Sequence, residues 1–105
     1  MIVPGGYDWQ LIRTDGVVEI DARYSVKTDD RALITIVNKG LRHGPADVMQ
    51  RLAKGEVVDP TLYYFRSTIS FETGEEKYDW LTKNIFMATG TREPQFVIIR
   101  VWKIL

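Results

Sequence analysis

A chain of 105 residues without cysteine excludes a disulfide scaffold and any thiolate-ligated metal or iron–sulfur centre, and its length predicts one domain. Fourteen basic and fourteen acidic residues leave no net charge, which removes the footprint of a nucleic-acid binder and gives no reason to expect a membrane surface as partner. No apolar run nears the ~18 residues of a spanning helix, and MIVPGGYDWQ lacks the basic and apolar regions of a signal peptide, so the expected compartment is the cytoplasm.

Gly5-Gly6 suit a turn, and DWQLIR (8 to 13) reads as the first strand. Asp15-Gly16 is a hairpin signal leading into GVVEIDARYSVKT (16 to 28). There Val18, Ile20, Ala22, Tyr24 and Val26 alternate with Val17, Glu19, Asp21, Arg23, Ser25 and Lys27, the pattern of a strand with one buried face. TDDR turns the chain into ALITIVN (32 to 38), completing a meander, and NKGLRHGP follows as a loop. The period then changes. Val48, Met49, Leu52 and Ala53 recur at helical spacing, with Pro45 in the first turn, Asp47 at the positive end of the dipole and Gly55 as terminator.

YYFRSTISFET (63 to 73) again shows two unlike faces. Tyr63, Phe65, Ser67, Ile69, Phe71 and Thr73 lie on one side, and Tyr64, Arg66, Thr68, Ser70 and Glu72 on the other. A polar connection follows, in which Tyr78, Trp80 and Leu81 pack a short turn onto the body, and then strands IFMATG (85 to 90) and FVIIRVWKI (96 to 104). Strands joined mostly as hairpins, with one short helix, predict a mainly β fold: an antiparallel barrel or a strongly curled sheet.

Four stretches together, PGGYDWQLIRTDGVVEIDARYSVKTDD, NKGLRHGP, YYFRSTISFET and YDWLTKNIFMATG, resemble the domain-of-unknown-function 3237 family, the UPF 0311 group of uncharacterised bacterial and fungal proteins. The resemblance runs over essentially the whole chain in order and spacing, with a departure at Lys83-Asn84, where the family more often has Asn directly after the Trp-Leu pair. It implies an antiparallel β-barrel of lipocalin-like or allene-oxide-cyclase-like shape, which fits a small organic ligand in its lumen and leaves the chemistry open. Family members usually carry further strands before the PGG turn, so the chain is expected to correspond to the later two thirds or so of the domain. A sheet edge left free in this way predicts pairing with another copy, hence a homo-oligomer.

If the sheet closes, Glu72, Asp21, Arg66, Arg23 and Tyr64 share its interior. A carboxylate would then act as general base, an arginine would stabilise the developing oxyanion, and Tyr64 would give the proton, as in an isomerase, dehydratase or cyclase that uses no cofactor. If it stays open, the same residues face water as cross-strand salt bridges of a non-catalytic binding or structural protein. Trp9, Asp8, Tyr78 and Trp80 are candidates for the walls and mouth of a ligand pocket, and Arg42, near the helix N-terminus, for holding an anion. His43, the only histidine, reads as a loop or cap residue, because one histidine makes no metal site. No phosphate-binding glycine motif, nucleophile elbow or zinc-binding helix motif is present, and the usual nucleophilic triads are excluded.

Overall fold

The computed structural model describes residues 1–105. Six strands, β1 (Ile2–Ile12), β2 (Val18–Lys27), β3 (Leu33–His43), β4 (Tyr64–Glu72), β5 (Ile85–Arg92) and β6 (Val97–Ile104), form one antiparallel sheet in sequence order. Helix α1 (Ala46–Ala53) and a 3-10 turn (Pro60–Leu62) connect β3 to β4, and a second 3-10 segment (Glu76–Lys83) connects β4 to β5. No helix is long and apolar enough to cross a membrane.

The β1–β2 turn forms as its Asp-Gly pair predicts. Gly16 takes φ +86°, and the Asp15 carboxylate accepts from the Val17 N–H at 3.0 Å. Two loops expected from sequence are strands instead. Pro4, Gly5 and Gly6 lie within β1, where the register with β2 slips between Val3 and Tyr7, so the glycine pair makes a bulge rather than a turn. NKGLRH continues β3 through His43, whose ring stacks on Tyr64 of β4 at 4.9 Å. The reason is the ladder: ten consecutive residues of β3 find partners on β2, from Leu33 opposite Lys27 to Arg42 opposite Val18.

Register fixes the faces. Val18, Ile20, Ala22 and Tyr24 sit opposite Arg42, Gly40, Asn38 and Ile36, which in turn sit opposite Phe65, Ser67, Ile69 and Phe71. This is the buried face. At one end Val48 and Leu52 of α1 pack on Val18, Ile20, Phe65 and Tyr63. At the other, Leu81 of the Glu76–Lys83 segment packs on Ile69, Phe86 and Ala88. Asp8 and Gln10 of β1 and Val97 and Ile99 of β6 line one cavity on this face, although β1 and β6 are the two edges of the sheet. The sheet therefore curls around it. It stops short of a barrel: no ladder joins β1 to β6, so both edges stay open.

Candidate functional site

The concave face is apolar with a few polar side chains set into it. Tyr24, Ile20 and Ala22 of β2, Phe65 of β4, and Val97 and Ile99 of β6 wall a cavity of about 200 Å³, into which Asp8, Gln10, Asn38 and Arg42 project. A second, wider lobe of about 610 Å³ lies between the end of the sheet and α1, bounded by Ile12, Val18, Met49, Gln50 and Arg92 among others. Gln10 and Arg42 border both lobes, and the Arg42 Nη2 donates to the Gln10 Oε1 at 3.2 Å. That hydrogen bond stands at the junction.

Arg42 is the unusual member. Only 3 % of its surface is exposed, its Nε has no hydrogen-bond partner, and it belongs to none of the molecule's ion pairs. The guanidinium lies over the Phe65 ring at 5.3 Å. Phe65 in turn lies flat over β5, since a Cβ on Gly90 would stand 2.7 Å from its ring carbons. Burial first, and the neighbouring Arg92 second, pull the Arg42 guanidinium below its usual pKa, while Tyr63 and Asp8 act the other way. Two further buried polar atoms on the same face lack partners, the Asn38 Oδ1 and the Ser67 Oγ. Buried polar groups are normally paired, so three orphans on one concave surface mark a place prepared for polar contact. Burial and then the charge of Asp8 raise the Tyr24 phenol above its ordinary 10.0, which keeps its proton in place to donate.

The residues singled out from sequence divide between the two faces. Asp8 and Arg42 are on the concave side, together in the smaller lobe. Asp21, Arg23, Tyr64, Arg66 and Glu72 all point to the opposite, convex side, as their register with Lys39, Val37, His43, Leu41 and Thr35 requires. Arg23 and Glu72 line one open groove there, with Lys39, Thr68 and Ser70. Asp21 lies in another with Trp9, and Arg66 stacks on Tyr64 at 5.4 Å and donates to the Phe65 carbonyl. None of the four charged members forms an ion pair. They share a sheet face, not an enclosed space. Tyr78 and Trp80 sit at the end remote from Arg42. The Tyr78 hydroxyl donates to Asp30, and Trp80 packs against Phe86 at 6.1 Å.

Gln10, Tyr24, Asn38, Ser67 and Arg92 were not singled out by sequence. The signal for Ser67 was nevertheless present: it is a polar residue between Phe65 and Ile69 on the apolar side of an alternating strand. Asn38 gave the same signal, masked because the strand was expected to end there.

The chain matches the family model described as protein of unknown function (DUF3237) over residues 1–104. A UPF0311 protein of Bradyrhizobium diazoefficiens is 42% identical over 104 residues, 99% of this chain and 68% of the relative. A UPF0311 protein of Clostridium acetobutylicum is 42% identical over 103 residues, 98% of this chain and 65% of the relative. Among solved structures, a conserved protein of unknown function from Rhodopseudomonas palustris superposes with a TM-score of 0.95 at 38% identity, covering 99% of this chain and 70% of that one. A protein from Acinetobacter baumannii described as β-barrel-like superposes with a TM-score of 0.79 at 41% identity, covering 97% and 65%.

Proposed function

The chain belongs to the DUF3237 family of proteins of unknown function, and we propose from its own side chains that its concave face binds a small organic acid with an apolar body. The observation that carries this is Arg42, a buried guanidinium without a carboxylate partner. A buried charge is costly until a counter-charge reaches it, and a planar guanidinium is matched to a carboxylate or enolate. Phe65, Ile20, Val97 and Ile99 supply the apolar wall, and Asn38 the acceptor for a ligand hydroxyl.

Acid–base chemistry without a cofactor follows from the same set. Asp8 takes a proton from a carbon next to a carbonyl, Arg42 stabilises the enolate oxygen, and the Tyr24 phenol gives a proton to the enolate. The proton held by Asp8 then passes, directly or through water, to the Tyr24 phenolate and restores both groups. Asp8, Arg42 and Tyr24 thus take the roles expected from sequence for Glu72 or Asp21, for Arg66 or Arg23, and for Tyr64. The second component is assembly. Both edge strands leave their outer edge unpaired, and they expose Ile2, Leu11, Ile12, Val101, Trp102 and Ile104. Pairing with a second copy would cover these edges and bring the curled sheet nearer to a barrel.

The test is a titration of isotopically labelled protein with phenylacetate and with phenylacetamide, followed by NMR. The acid is expected to shift the signals of Arg42, Asn38 and Tyr24, the amide to shift none, and Arg42→Met to abolish the response. Equal response to acid and amide would remove the guanidinium from the account. Shifts confined to Arg23, Lys39 and Glu72 would move the ligand to the convex groove. Phenylpyruvate in deuterated water then separates enzyme from carrier. Exchange of its methylene protons, lost in Asp8→Asn, supports the acid–base reading, and binding without catalysed exchange supports the carrier.

A further inference from the structure

Arg42 is not the only guanidinium at the concave face without a counter-charge. Arg92, half-buried at the last position of β5, borders the wider lobe and likewise joins no ion pair. Its backbone is held in place, because its N–H donates to the buried Tyr63 hydroxyl at 2.9 Å. The lobe has one carboxylate on its wall, Asp15. That group is already engaged by the Arg13 guanidinium at 3.1 Å and by the Val17 N–H at 3.0 Å. Asp8 faces the smaller lobe, beyond the Gln10–Arg42 hydrogen bond. Two positive groups thus border one cavity of about 610 Å³, and no free anion of the protein lies between them.

We infer that the wider lobe takes the head group of the ligand, and that this head carries two negative charges, as in a phosphate monoester or a malonate-type dicarboxylate, held between Arg42 and Arg92. A single carboxylate neutralises one guanidinium and leaves the other without a counter-charge. A dianion answers both, and its two oxygen pairs suit two planar forks. The repulsion between the two guanidinium groups is felt in the free protein, where Arg92 helps to pull the Arg42 pKa down. The inference rests on the acid-binding reading above and adds the class of acid.

The experiment compares dissociation constants of phenyl phosphate, phenylmalonate and phenylacetate at one salt concentration and at a pH where the first two are dianions. The expected result is at least about tenfold tighter binding of one or both dianions than of phenylacetate, a difference of ~1.4 kcal/mol. Preference for phenyl phosphate alone identifies a phosphate ester, and preference for phenylmalonate alone a dicarboxylate. Arg92→Gln should erase the preference, lowering the affinity of the dianion far more than that of phenylacetate, and Arg92→Lys should keep only part of it, because the charge remains while the planar fork is lost. Melting curves of both variants establish that they fold. Arg42-dependent binding of phenylacetate with no gain for either dianion overturns the inference and leaves the acid site standing. Absence of binding by all three removes the acid site as well. A dianion preference unchanged in Arg92→Gln overturns the role of Arg92.

Discussion

Arg42 illustrates how a side chain can weigh against stability and towards function. A charge buried without an ion-pair partner is often replaced by an apolar residue of similar size at no loss, or with a gain of ~1–4 kcal/mol. Arg42→Met is therefore expected to unfold at the same or a higher denaturant concentration than the parent, while losing response to phenylacetate. A large loss of stability would instead assign the guanidinium a structural role through Phe65 and Gln10. Tyr24 carries a second prediction. Because burial and Asp8 raise its pKa, its contribution to stability is complete below the ordinary value of 10.0 and is lost as pH rises through the higher folded value. Asp8→Asn should shift the Tyr24 titration, followed by NMR of ring-labelled tyrosine, back towards 10.0 without reaching it, since burial remains the larger cause. How much of this site the sequence disclosed depends on periodicity. Alternation sorts Tyr64, Arg66 and Glu72 from Phe65 and Ile69 correctly, but it directs attention to the polar side. The informative residues were the exceptions on the apolar side, Ser67 and Asn38, with Arg42 in the same row. Arg92 and Gln10 come together with them only through the curl of the sheet, which no local pattern encodes.

At the scale of elements, α1 closes one end of the concave face and the Glu76–Lys83 segment the other. The helix was legible from Val48 and Leu52, because an amphipathic stripe needs no long-range information. Leu52 is among the most buried side chains, 2 % exposed, and it packs in the cluster that also holds Phe65. Leu52→Ala is expected to cost ~2–5 kcal/mol in urea unfolding and to weaken ligand binding through the shifted Phe65 ring. The other segment is tied down differently. Lys77 reaches the Asp30 carboxylate at 2.7 Å, and the hydroxyls of Tyr78 and Thr28 donate to the same group. The Lys77 and Thr28 hydrogen bonds chiefly hold that carboxyl well below the usual range. A lowered carboxylate pKa contributes stability above the ordinary value of 3.8, which is lost as pH falls through the folded value. Asp30→Asn should accordingly lower the melting temperature at neutral pH, and the gap between variant and parent should close in strong acid. A gap that persists unchanged into strong acid would mean that the tether acts without its charge. Tyr78 was expected near a ligand. The tether explains why it lies elsewhere: its hydroxyl is already occupied by a turn 48 residues away in sequence.

For the molecule as a whole, the meander order and antiparallel pairing were readable from turn signals, because hairpins are local. Closure was not, since it depends on whether two edges far apart in sequence meet. Here they approach across the cavity without a ladder. Multi-angle light scattering should give a mass of at least two chains at micromolar concentration, and a single-chain mass would end the edge-pairing proposal. β1 ties this question to the site, because the strand that offers a free edge also carries Asp8 and Gln10 into the cavity. Anything that stiffens that strand from outside fixes two ligand contacts from within. Occupancy and self-association would then be thermodynamically linked, and each must strengthen or weaken the other by the same factor. The affinity measured for a small acid should consequently drift with protein concentration, and the protein should report its own abundance through how tightly it holds its ligand.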